Sequence, residues 1–375
     1  MFFLKTLIIG AFGIASLSFS AAAQAPVDLS NWASVLEKAK QEGLVVVHGA
    51  PGQRYAAVLK DAFQKKYPEI KVEFSGAANR TAIPRLLRER QAGIYNQDVW
   101  SSGSSAISQL KPAGVLQPLA PFLREEIKAD QNWFGGFAAG FTDTEQKFFY
   151  SFDGTVQNPI HVNWDFVKKA QIKSIQDLLK PEFANKIVWD DPRRGGSGNG
   201  ASLTILENFG EEFLRKLYAQ KAVFTTNRRQ GAEWVVRGRY PIAIGLDDSE
   251  LEVFENAGLG RNVLPLDDGM YKVEQLSPGF GSVGVVDKAP HPNAAAVYMN
   301  WLLSQEGQQE WVTVPRNSRR VDVKSVESKM SPKQGIQYFN GHHEKYADVR
   351  EGLQVIAKQV IAAPMVDDGK KGAEE

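Results

Sequence analysis

The stretch LSNWASVLEKAKQEGLVVVHG, residues 29–49, sets the fold. Trp32, Val35, Leu36 and Ala39 recur at the spacing of one helix face, Ser30 can serve as an N-cap, and Gly43 can close the C-terminus. LVVVHG is then a short run of apolar, mostly β-branched residues, the pattern of a buried strand. Helix followed by buried strand is the unit from which a parallel sheet is built, and the unit recurs downstream of this stretch.

Downstream, AAVLKDAFQKKYP (56–68) reads as a helix stopped by Pro68, and EIKVEFSG (69–76) alternates as a strand does. AIPRLLRERQAG (82–93) returns to helical spacing, with Ile83, Leu86 and Leu87 on one side, and QDVWSSG (97–103) is the next strand. A second unit has the same rhythm. SIQDLLKPEFANKIVWDDP (174–192) reads helix then strand; ASLTILENF, EEFLRKLYAQ and GAEWVVRGR read as helices; YPIAIGL is a strand and DDSELEVFENAG a helix. VEQLSPGFGSVGVVDKAP (273–290) and NAAAVYMNWLLSQEGQQEWV (293–312) repeat strand then helix. Such alternation predicts an α/β chain with parallel, doubly wound sheets whose strand ends line a crevice. VDDGKKGAEE (366–375) reads as a polar tail.

Composition narrows the function classes. The 375 residues are 43% hydrophobic and 23% charged, values of a globular chain of about two domains. A formal net charge of +1 and the absence of a basic stripe give no field for nucleic acid. There is no cysteine, hence no disulfide framework and no thiolate metal site. MFFLKTLIIGAFGIASLSFSAAAQA has Lys5, an apolar run and a small-residue end, and Ala23-Gln24-Ala25 fits a signal-peptide cleavage site. The expectation is a cleaved segment 1–25, rather than an anchor, and a mature, exported, periplasmic protein of net charge 0 once Lys5 is removed.

In order and spacing, LVVVHGAPGQ (44–53), DVWSSGSSAISQLKPAGVLQPL (98–119), KIVWDDPRRGGSG (186–198), YPIAIGLDDSELEVFENAG (240–258) and SVGVVDKAPHPNAAAVYMNWLLSQEGQQEWV (282–312) resemble a bacterial periplasmic solute-binding protein of an ABC importer. The group includes ferric-iron, thiamine and phosphonate binders. The resemblance covers nearly the whole mature chain, and LLSQEGQ (302–308) is its most specific piece. It implies a two-lobed periplasmic-binding-protein type II fold, each lobe a doubly wound sheet, with the ligand between lobes that close on it. Lobe one would comprise residues 26–148 and 283–375, and lobe two residues 149–282. A monomer, a small-molecule or ion ligand and an inner-membrane ABC permease as partner are implied; no cofactor is.

Candidate ligand residues follow the strand ends. His48, Gln53 and Arg54 lie in or beside the first strand-to-helix turn, where backbone N–H groups face a crevice. Ser75, Asn79 and Arg80 follow the second strand, and Ser101 and Ser102 the third; plain turn-making and N-capping are the competing roles. Gly196, Ser197 and Gly198 open a helix, so their N–H groups can approach an anion, and Arg193 can add a forked donor unless Asp190 or Asp191 takes it. The same stretch, GSGNGA (196–201), matches a dinucleotide fingerprint but lacks the acid about 20 residues on. Asp247 and Asp248 stand where ferric binders of the group carry a Tyr pair, which weakens a phenolate iron site; two carboxylates would suit a hard cation or an ammonium group, or Asp248 could cap its helix. Phe280 and Arg316 are further candidates for the cleft. No G-x-S-x-G elbow and no His pair at helical spacing supports an enzyme. The reading is therefore a receptor for a small organic or phosphonate-type anion, with ferric iron plus a partner anion as the alternative and an exported enzyme behind both.

Overall fold

The computed structural model describes residues 27–246, 248–266, 269–277, 279–314, 316–324, 330–333 and 336–362. The expected signal segment, the polar tail, Asp247 and the side chain of Asp248 lie outside them.

The decisive stretch forms as its pattern requires. Helix Trp32–Glu42 has Asn31, not Ser30, as its N-cap, with the amide oxygen accepting from Ser34 N at 3.1 Å. Gly43 closes it with φ 66°, a conformation that is cheap for glycine. Strand Leu44–Gly49 then lies between Lys71–Gly76 and Val99–Ser102, both parallel to it. Helix Pro292–Leu302 covers this sheet and is buried from Ala294 to Leu302. Glu42 ties the two helices together by accepting from Asn293 Nδ2 and Ala294 N, each at 2.7 Å. Gly307 in the LLSQEGQ piece has a packing cause: a Cβ there would sit 2.1 Å from Trp301 O.

Two large hydrophobic cores, each with a smaller cluster on the other face of its sheet, make two lobes. One gathers Val45, Val47, Leu59, Phe63, Val99, Val283 and the helix 292–302 side chains; the other gathers Ile160, Val162, Ile187, Trp189, Leu214, Ile242 and Ile244. The expectation of purely parallel sheets needs correction. In lobe one, Ser282–Val286 runs antiparallel to Val99–Ser102. In lobe two, Ile160–Asn163 runs antiparallel to both Ile242–Ile244 and Val263–Pro265. These strands reach their sheets directly from other parts of the chain, without a helical crossover, so nothing forces parallel pairing on them.

A small third sheet, in the order Gln337–Asn340, Val273–Ser277, Thr155–Gln157, joins the lobes. Here the chain passes three times between them, once along each strand, and residues 316–320 brace the crossing. Asp153, fully buried, accepts from Arg316 Nε at 2.6 Å and from Thr155 N at 2.8 Å. Asn317 N donates to Thr155 Oγ1 at 2.9 Å. Residues 347–360 fell in the range 283–375 assigned to lobe one, with no helix read there, and they form the last helix, Ala347–Val360. Leu353, Ala357 and Ile361 pack into the second core instead, because an amphipathic helix follows the nearest unfilled apolar face rather than the lobe boundary.

Candidate ligand cleft

Between the lobes lies a cavity of about 750 Å³, within the range of small-molecule sites. Lobe one contributes Tyr55, the start of helix Asn79–Gln91 and the turn after Val99–Ser102. Lobe two contributes the glycine-rich start of helix Ser197–Tyr218, along with Arg228 and Glu250. The crossing strands contribute Gln157 and Asn158, and the C-terminal segment brings His342 and Arg350.

The glycine-rich turn is built first for close packing. A Cβ on Gly198 would lie 1.7 Å from Asp190 O, and one on Gly245 would lie 2.6 Å from Gly198 Cα. Gly196 has φ 122°, a conformation few other residues adopt. Gly198 N donates to Asp190 Oδ2 at 2.9 Å, so an internal carboxylate already occupies one of the helix-start donors. Gly196 and Ser197 line the cleft, whereas Gly198 is buried behind them.

Other expectations divide in the same way. Asn79 and Arg80 line the cleft. Ser101 and Ser102 do not: both are buried, Ser102 Oγ accepts from Trp100 Nε1 at 2.9 Å, and the next residues of the loop, Gly103 and Ser105, face the cleft instead. His48 is 1% exposed and stacked on Trp100 with ring centroids 3.8 Å apart, so it is a core residue. Burial, helped by the Arg85 charge, pushes its pKa down to about 4. Ser75 borders a separate hollow on lobe one with Glu73, Tyr95 and Gln97. Arg193 is taken by the competing role named for it: Nε and Nη2 grip the buried Asp191 carboxylate at 2.9 and 2.6 Å. Gln53 and Arg54 are exposed outside the cavity wall, and Arg54 Nη1 reaches Glu252 of lobe two at 3.8 Å. Phe280 and Arg316 do line the cleft, the latter tied to Asp153.

Sequence reasoning missed the most informative group. Arg350, on the C-terminal helix, lines the cleft and is held by neutral partners. Its Nε donates to Asn199 Oδ1 at 3.2 Å and Nη1 to Gly341 O at 3.2 Å; Asn199 Nδ2 donates back to Arg350 O at 3.0 Å. His342 Nδ1 lies 2.8 Å from Nη1, and burial together with Arg350 holds this imidazole well below its usual pKa, neutral and able to accept. Burial brings the Arg350 pKa down to about 10, which leaves it charged at neutral pH. No carboxylate pairs with Arg350 or with Arg80 among the described residues. Four arginines and one glutamate face the cavity among these residues; Arg316 pairs with Asp153, and Arg228 lies 3.6 Å from Glu250. Two cations, one from each lobe, are thus left for something else.

A profile described as bacterial extracellular solute-binding protein matches residues 44–313. An uncharacterized protein of Haemophilus influenzae is 23% identical over 294 residues, covering 74% of this chain and 77% of that one. Among solved structures, a Trichodesmium protein (IdiA, FutA) in complex with iron and citrate superposes with TM-score 0.64 at 17% identity, covering 85% of this chain and 99% of the other. The periplasmic binding protein AfuA of Actinobacillus pleuropneumoniae, with fructose-6-phosphate bound, gives 0.60 at 19% identity, covering 86% and 100%. At these identities the structures share the two-lobed fold and no more.

Proposed function

This chain belongs to the bacterial extracellular solute-binding proteins, and we propose that it is the periplasmic receptor of an ABC importer that captures a small organic anion. One observation carries this reading. The Arg350 guanidinium sits in the interlobe cavity without a carboxylate among the described residues, beside a helix start whose dipole favours negative charge. Arg80 supplies a second cation from the opposite wall. An anion touching both stabilises the closed arrangement of the lobes, and the bias toward closure equals its difference in affinity between the two states. The expected signal segment sends the mature chain to the periplasm, where a permease takes the closed form. Capture and release need no covalent step.

Ferric iron with a partner anion is the second reading. It has the weaker support: among the described residues no group of three or more His, Cys, Asp or Glu side chains is placed to hold a metal ion. Native mass spectrometry of the mature protein, followed by thermal shift with phosphate esters, phosphonates, carboxylates and ferric citrate, separates the readings. An anion at 100 times its Kd raises stability by about 2.7 kcal/mol. The Arg350→Met variant is expected to lose this shift while still melting cooperatively, at a lowered ligand-free Tm because Asn199 Oδ1 and Gly341 O lose their donor. A shift with ferric citrate alone would sink the organic-anion reading.

A further inference from the structure

We propose that the captured solute is a hydroxylated organic anion: a sugar or polyol bearing one terminal anionic group. The inference rests on the anion-receptor reading above and adds the body of the molecule to its charged end.

The polar atoms of the cleft walls are the ground for it. Asn79 Oδ1, Gln157 Oε1 and Asn158 Nδ2 are buried and have no hydrogen-bond partner among the described residues, and all three residues line the cavity. Buried polar groups of folded proteins almost always find partners, so three orphans around one cavity point to what fills it. The Asn79 amide cannot be turned the other way, because its Nδ2 donates to Gly103 O at 3.2 Å. Its oxygen therefore needs a donor. An ionised phosphate, phosphonate or carboxylate offers acceptors almost exclusively and can serve the arginines but neither amide oxygen. Hydroxyl groups both donate and accept, so they satisfy the two oxygens and the Asn158 nitrogen together.

The remaining wall fits the same body. Tyr55 and Phe280 meet edge to face with centroids 5.4 Å apart, both line the cavity, and Phe280 is 38% exposed. The negative face of an aromatic ring suits the C–H face of a sugar or polyol. A cavity of about 750 Å³ also leaves room beyond a bare anion seated at Arg350.

The test is titration calorimetry on the mature protein with glucose 6-phosphate, sorbitol 6-phosphate and gluconate, set against ethyl phosphate, inorganic phosphate and glucose. At least one hydroxylated anion is expected to bind 100-fold or more tightly than ethyl phosphate, with glucose failing to bind. Gln157→Leu and, separately, Asn158→Leu should shrink that preference below tenfold. If ethyl phosphate or inorganic phosphate binds as tightly as every hydroxylated anion, the inference is overturned while the anion receptor stands. If none of the six binds, both fall.

Discussion

At the scale of single residues, His48 shows how a polar residue at a strand end can belong to the core. It precedes the turn that sequence reasoning assigned to the ligand, yet its ring stacks on Trp100 and its pKa is pushed down to about 4. An unfolded histidine titrates near 6.5, so between about pH 6.5 and 4 the unfolded chain binds a proton that the native chain refuses. Stability must therefore fall on acidification across that window, by on the order of 3 kcal/mol from this group. His291 acts in the opposite sense: its hydrogen bond to Asp98 raises its pKa, which adds stability below the unfolded value and loses it as pH rises through the folded one. Urea denaturation of His48→Phe at pH 7 and pH 5 isolates the first effect. The variant should lose less stability than wild type over this range; an equal loss would mean that His48 is not kept neutral. Arg350 is the converse case. Nothing local marks it among the arginines of the chain, because its significance lies in having Asn199 and His342 as neighbours, from distant parts of the sequence.

At the scale of elements, strand–helix units were legible and their fine structure was not. The glycine run before helix Ser197–Tyr218 was read as a place for an anion, and Gly196 and Ser197 do line the cleft. Gly198 serves packing, with strand Ile187–Asp190 directly against it. Gly198→Ala is accordingly expected to destabilise by about 3 kcal/mol or more, since backbone must move to admit the methyl group. Gly195→Ala, where an added Cβ meets nothing within 4 Å, should cost less than about 0.5 kcal/mol. Equal midpoints for the two in urea would contradict the packing account. In the stretch 174–192, read as helix then strand, the helical part forms two short 3₁₀ turns, Ile175–Leu179 and Pro181–Phe183, because Pro181 interrupts the backbone bonding. The break read between ASLTILENF and EEFLRKLYAQ is present as a kink at Gly210, where φ is 78° and ψ 171°. Helix Ala347–Val360 went unread, although Leu353 and Ala357 lie on one face; it follows the last of the strand–helix units that guided the reading.

At the scale of the whole molecule, an ion pair outside the cavity wall reaches from lobe one to lobe two. The Arg54–Glu252 pair at 3.8 Å is exposed, so its contribution to closure is small, about 0–1 kcal/mol. Glu252→Lys replaces that attraction with repulsion. The ligand-free radius of gyration should increase in X-ray scattering and Kd should rise roughly two- to fivefold, with both effects fading in about 1 M salt. No change at low salt would show that the pair plays no part in closure. Sequence alone determined the alternation of helix and strand, the family resemblance and the candidate loops, because periodicity, capping residues and turn glycines act over a few neighbours. Tertiary structure decided which strands run antiparallel, which lobe the last helix joins, which serines and arginines are consumed inside the protein, and which two cations are left in the cleft. Those outcomes depend on pairings between residues far apart in the chain, such as Asn199 with Arg350 and Asp153 with Arg316, and burial assigns their energies only after the two lobes have formed.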